Sequence, residues 1–134
     1  MIQMLIATHG GFAEGLCSAA EVIMGPVEKL SFMGLTLEDS IDDYTNNLIN
    51  YCRDSDDDVL ILTDLQGASP YNASARAISE IRDKNIVCLT GVNLPILLDA
   101  LMKRESMDVE ELADELMNTG KTAINKLSLS MYQK

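Results

Sequence analysis

His9 is the only histidine in a chain of 134 residues, and Gly10 and Gly11 follow it directly. Imidazole is the side chain whose ordinary pKa lets it act as a neutral nucleophile near pH 7. Farther along, Thr63-Asp64 leads into Leu65-Gln66-Gly67-Ala68-Ser69-Pro70. An aspartate bonded to one ring nitrogen fixes the tautomer, frees the other nitrogen's lone pair and stabilises charge as the ring reacts. Gly10-Gly11 and Gly67-Ala68-Ser69 both read as helix openings, where unpaired N–H groups and the positive dipole end favour an anion. With the Ser69 hydroxyl added, this is an anion site built without lysine or arginine. It suits a phosphoryl group carried on a ring nitrogen, with donors directed at three oxygens while attacking and leaving atoms stay in line. The same residues have plainer uses too: His9 in packing or at the surface, Asp64 in a turn, and Ser69 as a helix cap.

These residues must be brought together by the elements that end in them. Ile2 to Thr8 is a short apolar run that reads as a buried strand, and a helical stripe from Phe12 through Leu16 and Ala20 follows, stopped by Gly25-Pro26. Val27 to Met33 reads as a second strand, and Ile41, Tyr44, Leu48 and Cys52 mark a second helix. Val59 to Thr63 is the strongest strand. Ser69-Pro70 then opens a helix, with serine offering a capping oxygen and proline at a first-turn position that loses no bond. Ile86 to Thr90 is a fourth strand, followed by a helix from Leu94 and a last one with an Asp108/Glu111 capping-box pair, for which Gly120 is the expected stop. Four strands alternating with helices predict an α/β fold with an open, mainly parallel sheet and helices on both faces. In such a sheet ligands sit beyond the carboxyl ends of the strands, where strand order reverses. His9 and Asp64 share that crevice if the first and third strands are neighbours. The tail from Leu127 to Met131 alternates strictly and is expected to be a strand, available for pairing with another subunit.

Composition bounds the function. A chain of this length predicts a single domain, residues 1–134, with 47% hydrophobic residues to build a core. The formal net charge of −11 speaks against nucleic acid and anionic membranes as partners, because both need a basic face. No apolar run approaches the ~20 residues that span a bilayer, and the start lacks the basic region of a secretory signal. Cys17, Cys52 and Cys88 fit neither a disulfide framework nor a zinc site, so a reduced, cytoplasmic protein is expected, with the cysteines and most of the eight methionines in the core. One histidine and no ligand spacing predict no metal, and nothing calls for a cofactor. A serine hydrolase built on Ser69, His9 and Asp64 lacks the G-x-S-x-G elbow, since the segment reads Gly67-Ala-Ser-Pro-Tyr71. A flavin carrier is disfavoured by the absence of tryptophan and the scarcity of other aromatics.

Three stretches in order, Leu5-Ile-Ala-Thr-His-Gly-Gly-Phe-Ala-Glu-Gly15, Asp64-Leu-Gln-Gly-Ala-Ser-Pro-Tyr-Asn72 and Gly91-Val-Asn-Leu-Pro-Ile-Leu97, resemble a IIA component of the mannose-type (mannose/fructose/sorbose) sugar phosphotransferase system. The resemblance runs to about Gly120. It implies a phosphotransferase component in which His9 is phosphorylated by the histidine phosphocarrier protein HPr. The group then passes to a IIB component, which phosphorylates sugar during uptake through membrane IIC and IID partners. It implies that Asp64 orients the histidine, that Ser69 contacts phosphate, and that Gly10, Gly11, Gly67 and Ala68 supply amides. It further implies a homodimer, the four parallel strands being completed by an antiparallel strand exchanged between subunits. An apolar docking rim is expected around His9, with Phe12 and Leu65 as members. The family often has two glycines where this chain has Gly67-Ala68, which puts the loop geometry at issue. Many relatives carry a fused IIB domain; here IIB is expected as a separate protein or as a segment trimmed from this one. Two related readings stay open: the phosphoryl-donor subunit of dihydroxyacetone kinase, disfavoured by Gly10-Gly11 and Ser69-Pro70, and a phosphorylation-switched domain of a transcriptional activator.

Overall fold

The computed structural model describes residues 1–133. Its elements run β1 (Gln3–His9), α1 (Phe12–Met24), β2 (Leu30–Leu35), α2 (Ile41–Asp54), β3 (Val59–Thr63), α3 (Ser69–Glu80), β4 (Ile86–Thr90), α4 (Leu94–Lys103), α5 (Val109–Thr122) and a 3₁₀ turn at Leu129–Tyr132. The four strands are parallel in the order β2-β1-β3-β4. The chain therefore leaves β1 on one side and returns to pair with it on the other, so strand order reverses between β1 and β3. Ala7 lies opposite Thr63. Asp64 follows that pair directly, and His9, two residues beyond Ala7 and still paired with Leu35, ends β1 next to it.

Strand alternation divides the core into two layers. Met4, Ile6, Leu60 and Leu62 pack with α1, α4 and α5. Leu5, Ala7, Val59 and Ile61 pack with α2 and α3 on the other face. Because both faces are covered, β3 is buried at every position and reads as an unbroken apolar run. Most methionines are not core, contrary to the reading from composition. Met4 is fully buried, while Met1, Met24, Met102, Met117 and Met131 are exposed. Cys17 and Cys52 are buried, and burial, the largest influence on each, pushes both thiols up to about 11. Among the described residues, no helix is long and apolar enough to cross a membrane.

Four boundaries differ from the expectations. The second strand begins at Leu30 and ends at Leu35, not Val27 to Met33. The chain turns first, with Lys29 at φ 48°. The buried Arg104 guanidinium donates to the carbonyls of Glu28 and Lys29, holding that turn from a distant helix end. Helix α3 takes Ala68, not Ser69, as its N-cap, and no side chain caps it. Helix α5 continues through Gly120, which packs against Ile96, and ends at Thr122. The alternating tail is a short 3₁₀ turn rather than a strand, with Leu129, Met131 and Tyr132 exposed and no strand beside it among the described residues.

Gly34 matters to the turn that follows His9. It lies opposite Thr8, and an added Cβ there would overlap the carbonyl oxygen of Gly10. The obstacle is backbone, so the turn after His9 itself would have to shift. Gly34→Ala is expected to lower unfolding stability by about 1–3 kcal/mol. Gly15→Ala, on α1 with open space around the new methyl group, should instead leave stability level or raise it by about 0.5–1 kcal/mol. Urea unfolding of both variants tests this, and equal losses would contradict the close approach.

Candidate functional site

His9 is the last residue of β1, and Asp64 follows the end of β3. One carboxylate oxygen of Asp64, Oδ2, meets two groups of the same residue: the His9 ring Nδ1 at 2.8 Å and the His9 backbone N–H at 3.0 Å. The other, Oδ1, accepts from the Leu65 amide at 3.0 Å. An ionised carboxylate only accepts, so Nδ1 carries the proton and the Nε2 lone pair is free. Exposure is unequal within the pair. The His9 side chain is 44% exposed and that of Asp64 only 14%. Burial pushes the Asp64 carboxyl up, but the His9 amide, the His9 ring and the carboxyl's own neighbouring backbone outweigh it, and the group titrates below the usual carboxylate range. The carboxylate thus stays charged beneath an accessible ring.

Helix α1 begins directly after the histidine, with Gly11 as N-cap and no cap from the Gly11 side. Thr8, fully buried, supplies the missing bond. Its Oγ1 accepts from the Ala13 amide at 2.8 Å and donates to the His9 carbonyl at 3.2 Å. The Gly10 amide, expected to face an anion, is engaged by the Leu35 carbonyl at 2.8 Å. Gly11 therefore remains the donor of that pair. On the other side, Gly67 has φ +79°, a left-handed conformation that favours glycine. Ala68 has φ −85°, which any residue adopts, so alanine in place of a second glycine costs this loop nothing. The Ala68 amide makes a long bond of 3.4 Å to the Leu65 carbonyl. Because Ala68 takes the cap position, the half-buried Ser69 hydroxyl is not spent on capping.

An apolar groove of about 510 Å³ opens beside His9, walled by Leu35, Thr36, Leu37 and Glu38. Leu37, in the wall of this groove, is 101% exposed, and Phe12 and Leu65, which follow Gly11 and Asp64 in sequence, are 46% and 60% exposed. The rim expected from the sequence names Phe12 and Leu65, neither of which lines this groove, and does not name the Leu35–Glu38 wall. The wall lies beyond Met33, where the sequence places the end of the second strand; Leu35 and Leu37, apolar at the true strand end, carry the signal. Other residues that residue-type reasoning passed over are Thr8, Gly34 and Asn72, which act on backbone rather than on a ligand.

Comparison with known proteins adds a second line. Residues 3–117 match the family described as the PTS system fructose IIA component. The chain is 32% identical to the fructose-specific EIIA component of Bacillus subtilis over 87% of its length and 80% of the relative's. It is 30% identical to the mannose-specific EIIAB component of Escherichia coli over 99% of its length, but spans only 42% of that protein. Among solved structures, the phosphotransferase system component EIIA of Streptococcus agalactiae superposes with a TM-score of 0.88 at 31% identity, covering 98% of this chain and 99% of that one. With the parallel sheet and the matched span taken together, the chain belongs to the family of PTS system fructose IIA components.

Proposed function

We propose that this chain is a phosphocarrier that takes a phosphoryl group from HPr onto His9 and hands it to a IIB component, which phosphorylates sugar entering through membrane IIC and IID partners. The observation that carries the reading is the 2.8 Å contact between Nδ1 and Asp64, which turns Nε2 outward on an exposed ring. In the first transfer the P–N bond on the donor's histidine breaks as a P–Nε2 bond forms, and the donor ring leaves with the electron pair. His9 becomes a phosphorylated imidazolium whose Nδ1–H faces the Asp64 carboxylate, so the positive charge is met where it develops. The second transfer reverses these roles toward IIB. The Gly11 amide, the Ala68 and Ser69 amides and the Ser69 hydroxyl are the donors for the phosphoryl oxygens, with Gly67 shaping the loop that presents them.

Phe12, Leu37 and Leu65 form the apolar rim on which both protein partners dock in turn. A homodimer belongs to the same reading, as does a cytoplasmic location, where HPr is met. β4 is an edge strand, and beside it lies a groove of about 500 Å³ whose walls include Leu89, Ile96, Leu116 and Met117. The Thr90 hydroxyl is buried there without a partner among the described residues. The exposed apolar tail of a second copy supplies both the strand for that edge and the side chains for that groove.

Incubation with phosphoenolpyruvate, enzyme I and HPr is expected to label one acid-labile, base-stable site. His9→Ala should abolish the label while leaving the unfolding transition in place; a label that survives excludes His9. Asp64→Asn should keep the label but slow transfer by about 10–100-fold, because an amide holds the ring without matching its charge. Rapid-quench transfer from labelled HPr measures this, and an unchanged rate would remove Asp64 from the mechanism.

A further inference from the structure

Asn72 sits on the exposed side of the first turns of α3, where no core contact explains it. It is nonetheless tied twice to the loop before the helix. Its backbone N–H donates to the Ala68 carbonyl at 2.9 Å, and its side-chain Nδ2 donates to the Gly67 carbonyl at 3.1 Å. The first bond is an ordinary helical one that any residue except proline supplies. The second needs a side-chain donor of this length at this position.

A trans peptide points its C=O and the following N–H in opposite directions. Drawing the Gly67 carbonyl toward Asn72 therefore turns the Ala68 N–H away from the helix. Drawing the Ala68 carbonyl the same way does the same for the Ser69 N–H. Two consecutive peptide planes are set by one residue. Little else fixes this loop: the Ala68 amide reaches the Leu65 carbonyl only at 3.4 Å, and Gly67, at φ +79°, is free to change conformation. Asparagine is also a poorer helix former than alanine, so helix stability does not account for its presence.

We infer that Asn72 is a positioning residue of the phosphocarrier site, its side-chain amide holding the Gly67 carbonyl so that the Ala68–Ser69 backbone presents its amides to the phosphoryl group on His9. This rests on the reading of His9 as the acceptor. It makes Asn72 part of how strongly the chain holds phosphate, not of how it docks.

The equilibrium of phosphoryl exchange with HPr separates these roles. That constant depends on the free and phosphorylated forms of each protein alone, so a docking contact changes rates and leaves it untouched. In Asn72→Ala the label should stay on His9, the urea midpoint should not fall, and the exchange equilibrium should move about three- to tenfold back toward HPr, the size expected for weakening one aimed donor set. An unchanged equilibrium overturns the inference. Slower transfer with the equilibrium intact would make Asn72 a docking residue, and a lowered urea midpoint with the equilibrium intact would make it a helix residue; either result overturns it as well. Absence of any label on the unsubstituted protein would be a different failure, that of the phosphocarrier reading itself.

Discussion

A single carboxylate oxygen governs this site. Oδ2 of Asp64 holds the His9 ring and the His9 backbone at once, at 2.8 and 3.0 Å. Because both anchors belong to one residue, the imidazole cannot swing about its side-chain bonds without leaving the oxygen that also pins its main chain. Oδ1 is occupied by the Leu65 amide, so the carboxylate cannot readily turn to follow. The remaining freedom of the pair lies on the outward side, at Nε2. The protein thereby holds the imidazole still while leaving its outer nitrogen open to solvent.

The rest of the fold serves that contact. Reversal of strand order between β1 and β3 makes their carboxyl ends neighbours, and the register brings Asp64 within one residue of His9. Thr8 locks the first turn of α1 to the strand end, while Gly34 leaves room for the turn at Gly10. The groove beside the ring is walled by apolar side chains and Glu38, with no lysine or arginine among its lining residues. Neutral dipoles hold a phosphoryl group less deeply than cations do. The proposed carrier, which must release what it has just accepted, is well served by such a site. On that reading the net charge of −11 plays no part in holding phosphate and belongs to solubility and partner approach.

Much of this was legible in the residues because the signals were local. Val59 to Leu62 is apolar throughout since helices cover both faces of the strand, and Asp108 with Glu111 forms the capping box that their spacing announces. His9 and Asp64 could be paired on paper because strand ends in an alternating α/β chain converge. What escaped was set by distant or missing partners. The start of β2 depends on Arg104 gripping the Glu28 and Lys29 carbonyls, a contact that no pattern around residue 27 encodes. That error hid Leu35 and Leu37 at the other end of the strand. Ser69 carries a good capping side chain, yet the backbone places Ala68 in the cap, freeing the hydroxyl. The tail alternates as a strand does, but among the described residues it pairs with neither sheet edge and coils into a 3₁₀ turn.

The account turns on which ring nitrogen is free. Nitrogen-15 NMR of the His9 imidazole in the unphosphorylated protein, followed by phosphorus–nitrogen coupling after phosphorylation, reads this directly. The predicted result is a neutral ring protonated at Nδ1, then phosphorus bonded to Nε2 with the Nδ1 proton retained against Asp64. A ring protonated at Nε2 before transfer, or phosphorus found on Nδ1 after it, would contradict the account.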